Sequence, residues 1–192
     1  MIEILTGRAW KFGDDINTDL LAPGVYMKGS LKELASHCLE SVDPLFAGSV
    51  KSNDFVVAGR NFGLGSSREQ AAFVLNYLGV AAVIALSFGG IFYRNAFNCG
   101  LPAITCSSVE EIETGHRLEV NLESGTIVNL DTAKKMKQEL VKDCGLTEEE
   151  AVELINICPK TMSELRSFTF GWKKLILSET LEKILKIIKD NS

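Results

Sequence analysis

The chain is short of several things, and each shortage excludes a class. Its 192 residues contain only 4 prolines, against 46% hydrophobic and 23% charged residues. That composition excludes a disordered or collagen-like chain and is long enough for one sizeable core. The five cysteines (Cys38, Cys99, Cys106, Cys144, Cys158) are odd in number and no two form a C-x-x-C, which argues against a disulfide scaffold and favours small core residues over metal ligands. Only two histidines are present, His37 and His116, far apart in sequence, and neither reads as a catalytic base. There is no long basic run, and the formal net charge is −5, so duplex nucleic acid is a poor partner. A small anionic substrate is not excluded, because one local cation outweighs a weak global field. The longest apolar run, Val80 to Leu86, is far below the ~20 residues of a spanning helix. Met1 to Phe12 shows no signal-peptide pattern. The expectation is a cytoplasmic protein with no membrane contact.

What is present reads as alternating elements. Residues 3–12 alternate in part and predict a strand, followed by the loop Gly13-Asp-Asp-Ile-Asn-Thr-Asp19. Ser30 predicts the cap of a helix carrying Leu31, Leu34, Ala35 and Cys38 on one face. Phe55 to Ala58 reads as a buried strand. Ser66 with Glu69 has the spacing of a capping box, and Ala71, Val74, Leu75 and Leu78 give the helical stripe behind it, closed by Gly79. Val80 to Leu86 reads as a strand, Gly89 to Asn98 as a helix, Leu101 to Cys106 as a strand, and His116 to Leu130 as a hairpin. Strands alternating with helices imply an α/β fold with a parallel sheet. Thr147 with Glu150 makes a second capping box, opening a helix that ends before Pro159. Ser178 is placed as the cap of a last helix with Leu181, Ile184, Leu185 and Ile188 on one face, folded back on its own domain rather than onto a membrane. Two domains are expected: residues 1–132, and a helical extension over 133–192 packed on or beside the first.

The chemistry concentrates at Gly63-Leu-Gly65-Ser66-Ser67-Arg68. Glycines free backbone N–H groups to face an anion, and a helix N-terminus adds a positive field. Arg68 can take a carboxylate in a fork. Taken alone, G-x-G-S-S-R supports an anion site and a plain cap with a salt bridge equally. It is not a dinucleotide fingerprint, since Arg68 stands where the third glycine belongs, nor a P-loop, since no G-K-[ST] follows. Asp14, Asp15 and Asp19 could hold a metal or act as a base. No calcium-loop Glu follows them, and loop capping by Asn17 and Asp19 is the better reading of the spacing.

Taken together, GDDINTD with Pro23, then Gly59, NFGLGSSRE and VAAVIALSFGGIFYRNAFNCGLP resemble the small-subunit family of isopropylmalate isomerase (3-isopropylmalate dehydratase), in the aconitase superfamily. The resemblance runs from about Gly7 to about Thr132. It implies the swivelling β/β/α domain, here with a C-terminal helical extension. It implies a separate large subunit carrying a [4Fe-4S] cluster, no cofactor on this chain, and a hydroxy-di- or tricarboxylic acid substrate that loses and regains water. It also implies that Ser66 is the base, that Gly65, Ser67 and Arg68 hold a substrate carboxylate, and that Asp19 supports them. The loop after Pro23 is where members differ in substrate, and here it reads Tyr26-Met27-Lys28. Met27 suits an isopropyl group and Lys28 a distal carboxylate. The alternatives are a homoaconitase-like or 2,3-dimethylmalate-type small subunit, or a non-catalytic carboxylate-binding module. Leu64 stands where many members have Cys, and Gln70 where His is usual.

Overall fold

The computed structural model describes residues 4–172 and 176–191. Glu3, read above as the first residue of the first strand, lies outside them. The chain divides into two compact units, Met1–Asn129 and Leu130–Ser192.

The first unit is built on one six-stranded sheet. Its strands are β1 (Ile4–Lys11), β2 (Phe55–Ala58), β3 (Ala82–Ala85), β4 (Ala103–Thr105), β5 (Arg117–Asn121) and β6 (Thr126–Asn129). The order is β4-β3-β2-β1-β5-β6. β1 through β4 pair in parallel, with Ala9 opposite Phe55, Phe55 opposite Ala82, and Val83 opposite Ala103. β5 and β6 form the expected hairpin, and β5 adds antiparallel to β1, with Leu5 opposite Val120.

Every residue of β2 and β3 is buried, which explains why Phe-Val-Val-Ala and Ala-Val-Ile-Ala are unbroken apolar runs rather than alternating ones. Val56, Ala58, Val83 and Ala85 face one side. There they meet α1 (Thr18–Leu21), α2 (Leu31–Ser36), α3 (Phe46–Ser49), α4 (Gln70–Tyr77) and α5 (Gly90–Asn98). Phe46, Phe62 and Phe92 fill that layer, with Phe46 edge-on to both Trp10 and Phe12. Phe55, Val57, Ala82 and Ile84 face the other side, covered by Val109, Ile112 and the hairpin residues Leu118 and Val120. Each fully buried Val, Leu, Ile or Phe among them contributes roughly 1.5–3 kcal/mol relative to exposure.

Asp54 ties the start of β2 to the second half of β1. Its carboxylate accepts from the Arg8 and Lys51 backbone N–H groups at 3.1 and 2.9 Å and from Trp10 Nε1 at 3.0 Å. The loops at the carboxyl ends of the parallel strands bond to one another and form the platform of the site.

The second unit contains α6 (Leu130–Cys144), α7 (Glu148–Ile157), α8 (Met162–Thr169) and α9 (Ser178–Asp190). Met136, Leu140, Leu154, Leu165, Leu181 and Ile184 form its own core. The Thr147–Glu150 capping box is present. Ser178, expected as a cap, is instead the first residue of α9, whose N-cap is Leu177 with no side-chain bond. No helix among the described residues is long and apolar enough to cross a membrane.

Candidate functional site

Three loops meet where β1, β2 and β3 end, the position at which open α/β sheets place their ligands. The loop after β1 and the loop after β2 are joined by Gly59 N–H to Gly13 O (3.2 Å), Asp15 N–H to Arg60 O (2.8 Å), Gly63 N–H to Ile16 O (2.6 Å) and Thr18 N–H to Leu64 O (3.0 Å). The loop after β3 joins them through Phe62 N–H to Ser87 O (2.9 Å) and Gly89 N–H to Phe62 O (2.8 Å).

The acidic residues of the first loop divide their work. Asp14 accepts from the Arg60 N–H at 2.7 Å, and Asp15 accepts from the Asn61 amide at 2.8 Å. Both hold the loop after β2 in place. Asn17 is the cap of α1, accepting from the Asp19 and Leu20 N–H groups at 3.0 Å each. Asp19 does not cap. Its carboxylate pairs with Arg68 Nη1. Among the described residues no group of three His, Cys, Asp or Glu side chains lies close enough to hold a metal ion.

Ser66 also departs from its expected local role. The helix begins at Gln70, its N-cap is Glu69 in a helical conformation, and no side chain caps it. The Ser66 N–H instead donates to Thr18 Oγ1 at 3.1 Å, and the two hydroxyl oxygens lie 3.2 Å apart. The capping-box spacing is real, but the backbone at Gly65 (φ +123°) turns Ser66 towards α1 before the helix starts. A Cβ on Gly65 would stand 3.0 Å from Thr18 Oγ1, so glycine is needed both for the torsion and for the approach. Thr18 is buried to 1% exposure, while Ser66 and Ser67 are exposed. No acceptor among the described residues meets the backbone N–H of Ser67, Arg68 or Glu69. These donors lie just ahead of α4, near its positive end.

Arg68 closes the arc. Nη1 donates to the Ala22 carbonyl at 3.1 Å as well as to Asp19. Nη2 lies 3.5 Å from the point where a side chain on Gly24 would begin. Among the described residues nothing accepts from Nη2 or Nε.

Gly65, Ser66, Ser67, Arg68 and Asp19 are therefore brought together. Tyr26, Met27 and Lys28 follow on the adjoining segment, a 3-10 turn over Gly24–Tyr26. Tyr26 and Met27 rest partly buried against the core, and Lys28 is exposed with no acidic partner among the described residues. Sequence reasoning missed Thr18. Its only local signal is its place at the first turn of α1 beside Asp19, and the residue it touches is 48 positions away.

Residues 31–109 match the family model described as the aconitase C-terminal domain. The chain is 50% identical over 136 residues to 3-isopropylmalate dehydratase small subunit 1 of Thermotoga maritima, a match covering 70% of this chain and 82% of that protein. It is 45% identical over 160 residues to the methanogen homoaconitase small subunit of Methanothermobacter thermautotrophicus, covering 83% of this chain and 93% of that one. Among solved structures, 3-isopropylmalate dehydratase from Methanocaldococcus jannaschii superposes with a TM-score of 0.65 at 48% identity, over 67% of this chain and 77% of that chain. With its sheet, its Gly65-to-Arg68 arc and these relatives, the chain belongs to the 3-isopropylmalate dehydratase small-subunit family of the aconitase superfamily.

Proposed function

We propose that this chain is the small subunit of a two-subunit hydro-lyase that interconverts 2-isopropylmalate and 3-isopropylmalate by loss and re-addition of water, in leucine biosynthesis. The observation that carries the reading is the Ser66–Thr18 hydroxyl pair beside a guanidinium with two unused donors, in a chain 50% identical to a 3-isopropylmalate dehydratase small subunit.

Dehydration requires a proton to leave a carbon beside a carboxylate, and that carbon is a very weak acid. Ser66 Oγ is the base in this account. A serine hydroxyl is a poor base in water, so its anion must be stabilised in place. The Ser66 amide already donates to Thr18 Oγ1, which leaves the Thr18 proton free to point at Ser66 Oγ. The N–H groups of Ser67 and Arg68 and the positive end of α4 favour the same charge. Arg68 holds the substrate carboxylate next to the carbon that loses its proton, and Asp19 with the Ala22 carbonyl fixes the plane of the guanidinium. The hydroxyl that departs needs a Lewis acid, which the [4Fe-4S] cluster of a large subunit supplies. The chain's own contribution is the base, the carboxylate clamp and the loop that reads the rest of the substrate.

Lys28 supports a second reading. An exposed ammonium without an acidic partner among the described residues is suited to a distal carboxylate, as in a homoaconitase-like enzyme. Anaerobic reconstitution with the large subunit of the same organism separates the cases. Isopropylmalate, homocitrate-type and dimethylmalate-type acids are compared by absorbance of the unsaturated product. Turnover of isopropylmalate that needs both chains and tolerates Lys28→Ala is the expected result. Selective turnover of a homocitrate-type acid, lost with Lys28→Ala, assigns the second reading. No turnover from a cluster-loaded complex points to a non-catalytic carboxylate-binding module or to an acid outside the three compared.

A further inference from the structure

The segment carrying Tyr26, Met27 and Lys28 has little stiffness of its own. Its internal bonds are those of a single tight turn: Tyr26 N–H to Pro23 O (3.1 Å), Met27 N–H to Gly24 O (3.3 Å) and Gly29 N–H to Tyr26 O (3.0 Å). Its shape is set by what it leans on. One end is fastened to the site, where Arg68 Nη1 holds the Ala22 carbonyl and Nη2 approaches Gly24. The other end lies on α2. The Tyr26 ring stacks on the His37 imidazole with centroids 3.6 Å apart and planes within 7°. Gly29 passes so close to the Glu33 carboxylate that a Cβ there would collide with it.

His37 is itself held on both sides. Its Nδ1 lies 2.5 Å from Glu40 Oε2, which fixes the ring's rotation. Its backbone ends α2, and the next two residues, Cys38 and Leu39, are fully buried. The Leu39 N–H donates to the Leu20 carbonyl at 2.8 Å, on the helix that carries Thr18 and Asp19. A continuous set of contacts thus runs from α1 through Leu39, His37 and Tyr26 to the substrate segment, and back to Arg68.

We propose that His37, oriented by Glu40, is a positioning residue that fixes the 24–28 segment over Arg68 and so sets the reach of Met27 and Lys28 towards the substrate. The proposal rests on the reading of that segment as the part that recognises substrate. The stack is half-exposed, with His37 and Glu40 side chains 31% and 38% accessible, so its effect on overall folding is small while its effect on the turn is direct.

The test uses His37→Ala, His37→Phe and Glu40→Gln in the full chain. Hydrogen exchange of residues 25–29 is measured on the chain alone, and KM and kcat on the complex with the large subunit. His37→Ala is expected to speed exchange in 25–29 by about tenfold with α4 and the strands unchanged, and to raise KM about three- to tenfold with kcat within about twofold, as loss of one stacked pair predicts. His37→Phe keeps a ring under Tyr26 and returns both quantities to within about twofold of wild type. Glu40→Gln, which keeps both rings, shifts KM by about two- to threefold. Unchanged exchange or unchanged KM in His37→Ala overturns the proposal, as does a His37→Phe variant no better than His37→Ala. Absence of turnover in the wild-type complex counts against the functional reading instead, and the exchange measurement still decides whether His37 orders the segment.

Discussion

Ser66 Oγ and Thr18 Oγ1 lie 3.2 Å apart across 48 residues of sequence, and the Ser66 N–H donates to the same threonine oxygen at 3.1 Å. The buried member of the pair fixes the position of the exposed one. In the proposed mechanism the Thr18 hydroxyl donates to an oxyanion on Ser66.

Thr18→Val removes that hydroxyl and keeps the shape of a side chain that is 1% exposed. The expected result is a fall in kcat of roughly 10- to 100-fold with KM little changed, since the lost bond matters most when Ser66 is charged. Thr18→Ser restores most of the rate. Steady-state kinetics of the two variants in the reconstituted complex checks this, and a Thr18→Val kcat equal to wild type contradicts it.

Gly65→Ala forces a Cβ onto a residue at φ +123° and against Thr18 Oγ1. It should destabilise the chain by about 1–3 kcal/mol and also separate Ser66 from Thr18. Urea unfolding reads the first effect. An unchanged midpoint contradicts the claim that the torsion and the close approach both require glycine.

Asp54→Ala leaves the Arg8 and Lys51 N–H groups and Trp10 Nε1 without their shared acceptor. The cost should be about 2–4 kcal/mol in urea unfolding. Asp54 precedes β2, at the end of the sheet away from the site loops, so kcat and KM per folded complex should stay within about twofold of wild type.

Burial drives the Cys38 thiol far above its ordinary value of 9.0. The native chain should therefore resist alkylation at Cys38 when the pH is raised from about 7 to about 9, whereas urea-unfolded chain labels readily. The linkage has a definite sign. The unfolded thiol ionises above its ordinary value and the folded one does not, so this group's contribution to stability is present below that pH and is lost as pH rises beyond it. Mass spectrometry of the labelled peptides measures the first effect, and unfolding at stepped pH the second.

Legibility in the sequence followed how local each determinant is. Phe55–Ala58 and Ala82–Ala85 were readable because both faces of the central strands are buried, so every residue is apolar. The hairpin of β5 and β6 was readable from its alternation, but its antiparallel addition to β1 was not, because Leu5 and Val120 become neighbours only through the register. Helix α6 is not legible in the sequence because its buried stripe is thin, Met136 and Leu140, and is interleaved with Lys134, Lys135, Lys137 and Lys142. The Gly65-to-Arg68 arc is contiguous and was visible at once. The Ser66 capping box is not formed, and Ser-x-x-Glu spacing cannot show that a distant threonine takes the bond from the serine N–H. His37 read as an ordinary histidine because its partner Tyr26 is met by the folding of a turn onto α2.

The most direct test of the account is Ser66→Ala in the anaerobically assembled, cluster-loaded complex. Binding to the large subunit and affinity for substrate carboxylate should be retained, since Arg68 and the α4 amides are untouched, while turnover should fall by at least about a thousandfold. Turnover equal to wild type in an intact complex would contradict the assignment of Ser66 as the base.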